Sequence, residues 1–221
     1  NAIAAGSPAS VSITPGDQQM TISWSDPTSW GGSVLTRYLV EYSDDDGENW
    51  STVSRANQNA RKETITGLTN GTHYLVRVKT ITAVDGNLAF ASAVPFGLPI
   101  STNPPTISGT SEFDQTLIAT NGSWNSNGSS ITATNYQWQY SADNGASWRD
   151  IPLAVSQSYT VGMYVGKLVR VKITSTNTAG DTAAYSLPTS VVAPAAPNAP
   201  TGLTTIAGDG ELQLSWSAPS Y

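Results

Sequence analysis

The chain contains no cysteine and a single histidine, His73. The first absence excludes thiol nucleophiles, disulfides and thiolate metal centres together, although it assigns no compartment. The second leaves a histidine-based triad or zinc site with too little to build from. Charge is scarce as well: only 12% of the 221 residues are charged, and the formal net charge is −6. An electrostatic grip on nucleic acid or anionic lipid needs clustered Lys and Arg. No such cluster occurs, so neither a nucleic-acid partner nor membrane insertion is expected. No apolar run approaches a membrane span, and no charged-then-apolar leader opens the sequence. The chain starts at Asn1 rather than Met, which reads as a processed product or an excised segment.

A helical period is missing too, and period-two alternation between turn signals takes its place. Met20-Thr-Ile-Ser-Trp24, Tyr38-Leu-Val-Glu-Tyr42 and Tyr74-Leu-Val-Arg-Val-Lys79 alternate in this way. Each puts one set of side chains into a core and the other outward, with Arg77 and Lys79 expected toward water. A second series follows in 115–120, Tyr136-Gln-Trp-Gln-Tyr140 and Leu168-Val-Arg-Val-Lys-Ile173. The expected fold is all-β, built as tandem antiparallel β-sandwiches.

Proline marks the joints. Residues 95–105, PFGLPISTNPP, and 193–200, APAAPNAP, cannot donate fully to a ladder and stiffen the chain, so they read as semi-rigid junctions. The expected domains are 1–97, 98–195 and a remnant at 196–221. The remnant is a repeat: residues 200–219, PTGLTTIAGDGELQLSWSAP, align without gaps on residues 8–27, PASVSITPGDQQMTISWSDP, at an offset of 192. Internal repetition at a fixed spacing marks a modular array.

These residues carry two family resemblances. Residues 8 to about 97 resemble a fibronectin type III domain. The carrying residues are Trp24 on strand B, Tyr38-x-Val-x-Tyr42 as strand C, and Leu68-Thr-Asn-Gly-Thr-His-Tyr74, where Asn70 stands in place of the family's proline. The resemblance implies that Tyr74 is structural, its buried hydroxyl bonding to nearby backbone. Residues 104 to about 192 resemble the cysteine-free immunoglobulin-like domains of bacterial surface proteins, through Pro104-Pro-Thr-Ile-Ser-Gly109, Gly122-Ser-Trp124, Tyr136-Gln-Trp138 and 165–171, VGKLVRV. There the corner position is expected to hold Leu168 instead of Tyr. Residues 198–221 resemble strands A and B of a further fibronectin type III domain.

Candidate sites are few. Ser43-Asp-Asp-Asp-Gly-Glu-Asn-Trp50 and Ser141-Ala-Asp-Asn-Gly-Ala-Ser-Trp148 share the pattern Ser-x-Asp-x-Gly-x-x-Trp. The second copy matches the Asp box of sialidase propellers, but that box is a turn away from the chemistry, and two sandwiches provide no propeller blades. Two readings stand. Both copies can be hairpins between strands C and C′, in which Asp or Asn caps the turn, Gly47 and Gly145 take positive φ, and Trp folds back over it. Alternatively Asp44, Asp45, Asp46 and Glu48 of the first copy can hold calcium; no other cofactor is expected. Trp30, in the B–C loop, is a candidate for stacking on a glycan or packing on a neighbouring domain. Trp124 is expected in a strand and His73 on a solvent-facing turn. Asn49, Asn70, Asn121 and Asn127 each head a glycosylation sequon.

Two strands alone cannot bury Leu212, Leu214 and Trp216. These three residues are therefore candidates for contact with a neighbouring domain or subunit, including strand addition through 203–216. No nucleophile, acid pair or metal set converges, so no enzymatic activity is expected. The expected role is a structural spacer in a repetitive extracellular surface, adhesin or filament protein. The alternatives are accessory modules, spacer or carbohydrate-binding, of a secreted polysaccharide-degrading enzyme, and a virion decoration module.

Overall fold

The computed structural model describes residues 3–54 and 58–219, and among them there is no helix. The first seven strands are β1 (Ala9–Gly16), β2 (Gln19–Ser25), β3 (Arg37–Ser43), β4 (Ser51–Ser54), β5 (Lys62–Thr66), β6 (Tyr74–Ile81) and β7 (Asp85–Ala93). They form a three-stranded sheet in the order β1-β2-β5 and a four-stranded sheet in the order β4-β3-β6-β7.

Alternation decides which side chains fill the space between the sheets. Met20, Ile22 and Trp24 of β2 meet Tyr38 and Val40 of β3 and Tyr74, Val76 and Val78 of β6, with Ile65 and Leu68 completing the cluster. Trp24 and Tyr38 pack edge-on, ring centroids 5.5 Å apart. The buried Tyr38 hydroxyl donates to Asp26 Oδ1 at 2.6 Å. Burial, reinforced by that hydrogen bond, pushes its ionisation well above the ordinary tyrosine range.

Nine further strands follow: β8 (Ile100–Asn103), β9 (Ile107–Ser108), β10 (Thr116–Ala119), β11 (Ser123–Asn125), β12 (Ala133–Ser141), β13 (Arg149–Asp150), β14 (Ser158–Thr160), β15 (Leu168–Asn177) and β16 (Gly180–Tyr185). Their sheets run β14-β10-β9 and β13-β12-β15-β16, with β8 and β11 as a separate pair. The two larger sheets repeat the strand order of the first seven strands. Leu117 and Ala119 of β10, Trp138 of β12 and Val169, Val171 and Ile173 of β15 are buried. Trp138 packs on Tyr159 of β14 at 5.5 Å and donates its indole N–H to Ser156 O at 2.9 Å.

Two last strands, β17 (Thr201–Ala207) and β18 (Leu212–Ser217), make an isolated antiparallel hairpin. By contact the chain divides into two units. The first takes in residues up to 102 together with 124–134 and 175–182; the second takes in 103–123, 135–174 and the residues from 183 onward.

Candidate functional site

The repeated octapeptide builds the same turn twice. In both copies it joins two consecutive strands that pair antiparallel, β3 to β4 and β12 to β13. Ser43 Oγ donates to Asp45 Oδ1 at 2.6 Å and accepts from the amide of Gly47 at 2.9 Å. Ser141 Oγ donates to Asp143 Oδ1 at 2.7 Å and accepts from Gly145 at 2.7 Å. The carboxylates then reach forward. Asp45 accepts from the amide of Asn49 at 2.9 Å and from its side chain at 2.7 Å, while Asp143 accepts from the amide of Ser147 at 2.8 Å and from its hydroxyl.

The backbone matches in the same detail. Asp46 and Asn144 sit at φ 56°, and Gly47 and Gly145 follow at φ 95° and 91°. Asp and Asn tolerate the left-handed region and glycine enters it freely, which explains the residue choice at these positions. Each Trp closes its turn by donating its indole N–H to the glycine carbonyl, Trp50 to Gly47 at 2.9 Å and Trp148 to Gly145 at 3.2 Å.

These hydrogen bonds favour the charged carboxylate. Asp45 is held at about 2, chiefly by the Asn49 amide, and Asp143 at about 2, chiefly by the Ser147 hydroxyl and amide. Both Asp45 oxygens are thus engaged within the turn. Asp46 lies 3.5 Å from His73, an exposed turn residue as expected, and Asp44 and Glu48 are exposed. Among the described residues no group of three or more His, Cys, Asp or Glu is disposed to hold a metal ion.

Sequence reasoning missed what lies on top of each Trp. The Arg77 guanidinium stacks on Trp50 at 3.9 Å and donates to Glu41 at 2.7 Å, while Phe90 packs edge-on with the indole, ring centroids 6.2 Å apart. In the second series Arg170 stacks on Trp148 at 4.2 Å and on Tyr185 at 4.3 Å, donating to Gln139 at 2.8 Å. Arg77 and Lys79 therefore point outward but are only half-exposed. Arg77 is covered by its aromatic and acidic neighbours, and Lys79 pairs with Asp85 at 2.6 Å. The signal was an arginine at the same place in two alternating strands, Val-Arg-Val at 76–78 and again at 169–171.

That equivalence also corrects the corner. Tyr74 accepts a hydrogen bond from the Thr69 amide at 3.0 Å, as expected. With Arg170 in the place of Arg77, Lys167 falls at the position of Tyr74, and Leu168 at that of Leu75. Leu75 and Leu168 both border the turn glycine, Gly47 in one case and Gly145 in the other.

Trp30 is half-buried rather than a bare loop tip. Its loop is tied down by the N-terminal segment: Ile3 N donates to Gly31 O at 3.1 Å and Gly6 N to Ser29 O at 2.9 Å. A side chain on Gly31, at φ 65°, would lie 2.1 Å from the Ile3 carbonyl oxygen. Trp124 lies half-buried in β11. Three of the sequon side chains are engaged as donors, Asn49 to Asp45, Asn70 to Asp17 at 2.6 Å and Asn127 to Leu98 O at 2.9 Å. Leu212, Leu214 and Trp216 lie together on β18, and all three are exposed.

The three-plus-four strand arrangement with a Tyr corner agrees with a known family. Residues 6–93 match the Fibronectin type III domain. Such domains are commonly structural or spacer modules of multidomain proteins, typically non-catalytic, and occur mostly outside the cell. Among solved structures, the chain is similar to the chicken CNTN1 FN1–FN3 domains, with 18% identity and a TM-score of 0.37 over 97% of this chain and 76% of that one. No helix among the described residues is long and apolar enough to cross a membrane.

Proposed function

We propose that residues 1–221 are a non-catalytic spacer segment of a repetitive extracellular surface, adhesin or filament protein. The observation that carries this reading is repetition. The fibronectin type III segment opens on a hairpin that recurs after the second series of strands at an offset of 192, and the second series repeats the strand order of the first. Tandem units of this kind suit projection or fibre formation. In this reading Asp45 caps its turn and the acids of the first octapeptide hold no calcium, Trp30 anchors its own loop, and the partners are neighbouring domains or subunits of the same protein. Two supports are the half-burial of Trp30 and the use of every element shared by the two octapeptides inside its own turn.

The test is binding. Chain 1–221 and its Trp30→Ala variant would be compared on a broad array of glycans and insoluble polysaccharides. The spacer reading expects no retention of either. Retention that Trp30→Ala abolishes would replace it with an accessory carbohydrate-binding role.

A further inference from the structure

Four asparagines are followed directly by glycine, at 70–71, 121–122, 127–128 and 144–145. The pair carries its own chemistry, because glycine has no Cβ to keep its amide nitrogen away from the preceding carboxamide. The glycine nitrogen attacks the asparagine Cγ, the Cγ–Nδ2 bond breaks, and ammonia leaves with the amide proton. Solvent water then opens the cyclic imide to aspartate or isoaspartate. Ring closure needs a carboxamide free to rotate and a glycine amide free to attack, so local structure decides which pair reacts.

Three of the pairs are held. The Asn70 carboxamide donates to Asp17 at 2.6 Å and to Asn127 Oδ1 at 2.9 Å and accepts from the Gln18 amide at 2.8 Å, while the Gly71 amide donates to Pro95 O at 2.9 Å. Asn127 donates to Leu98 O at 2.9 Å and accepts from Asn70. Its glycine has no room to swing, since a Cβ on Gly128 would lie 2.5 Å from Pro95 O and 2.6 Å from Gly71 N. Asn121 accepts from the Tyr136 hydroxyl, and a Cβ on Gly122 would lie 2.4 Å from Asn103 O.

Asn144 differs. It is exposed in the second octapeptide turn, and its carboxamide has no hydrogen-bond partner among the described residues. A Cβ on Gly145 would make only ordinary contacts, 3.9 Å from Trp148 and 4.0 Å from Leu168. One restraint remains, the Gly145 amide donating to Ser141 Oγ at 2.7 Å.

We infer that Asn144 is a site of spontaneous deamidation, and that Ser141 sets its rate by holding the attacking amide. The aspartate product fits the turn, because Asp46 occupies the same position in the first copy at the same φ of 56°. Isoaspartate instead inserts a methylene into the backbone ahead of Gly145, whose amide bonds to Ser141 and whose carbonyl accepts from Trp148. That product unpins the turn. The inference goes beyond the spacer reading and does not depend on it.

Chymotryptic mapping reads the reaction, since cleavage after Tyr140 and Trp148 isolates residues 141–148 with Asn144 as their one asparagine. The intact chain would be aged at mildly alkaline pH beside the same chain unfolded in urea, where all four pairs convert. In the folded chain Asn144 is expected to convert at least about tenfold faster than Asn70 and Asn127, which must first lose two or more hydrogen bonds. Ser141→Ala should quicken conversion at Asn144 and leave the other three pairs unchanged. Trp148→Leu, which loosens the same turn with the Ser141 bond in place, should quicken it less; an equal effect would remove Ser141 from the inference. A folded chain that keeps the Asn144 amide while another pair converts, or in which all four convert together, would overturn the site itself. So would one in which none converts while the urea sample does.

Discussion

Asp143 is exposed and Asp45 half-exposed, yet each is bound by several donors from its own turn. Their folded-state acidities, about 2, lie below the ordinary aspartate value near ~3.9. A depressed carboxylate contributes stability that is fully present above the unfolded value and is lost as pH falls through the folded one. The stability difference between the native chain and Asp143→Ala should therefore be constant at neutral pH and shrink as pH falls from about 4 to about 2. Denaturant titrations at a series of pH values read it directly, and a difference unchanged at pH 2 would refute the capping role. The two buried tryptophans make a second comparison. Trp138 donates its indole N–H to Ser156 O, whereas Trp24 Nε1 is buried without a partner among the described residues. Trp138→Phe should cost about 1 kcal/mol more than Trp24→Phe, the net worth of one hydrogen bond, on top of similar packing losses. Chemical denaturation of the two variants measures the difference. The turn was legible at this scale because Ser, Asp, Gly and Trp each act on backbone within a few residues. Indole satisfaction was not, because Ser156 reaches Trp138 only through the fold.

At the scale of strands, alternation located the elements well. Met20, Ile22 and Trp24 face inward on β2, and Tyr74, Val76 and Val78 on β6, as the period required. The arginine stacks escaped notice because they depend on register across neighbouring strands, which a local pattern does not encode. For the same reason the second corner was placed one residue late, on Leu168 instead of Lys167. Arg170 lies between two rings while donating to Gln139, an arrangement that needs the planar fork. A double-mutant cycle of Arg170→Met with Trp148→Leu should give a coupling energy of roughly 0.5–1 kcal/mol. Zero coupling in urea titrations would show that the stack is only adjacent packing.

For the molecule as a whole, the same repeat position carries opposite consequences. Ile22 is fully buried and Leu214, its counterpart 192 residues later, is half-exposed. Ile22→Ala should cost 2–5 kcal/mol, about the usual toll of a core cavity, while Leu214→Ala should stay within about 0.5 kcal/mol. Thermal unfolding of the two variants separates these outcomes, and a large loss from Leu214→Ala would mean that the hairpin is already packed in solution. The repeat itself was legible in the sequence, since it is one-dimensional. Its exposure could be anticipated only by counting strands, because burial belongs to partners that a hairpin cannot name.

The glycines at 202 and 210 bear on the order in which the chain folds. Where β1–β2 places the exposed Ser10 and Gln18 in the left-handed region, that backbone cost must be met by the packing of the rest of the sandwich. With glycine at both sites, the later hairpin can form unaided, on the ~1–10 μs scale of an isolated hairpin.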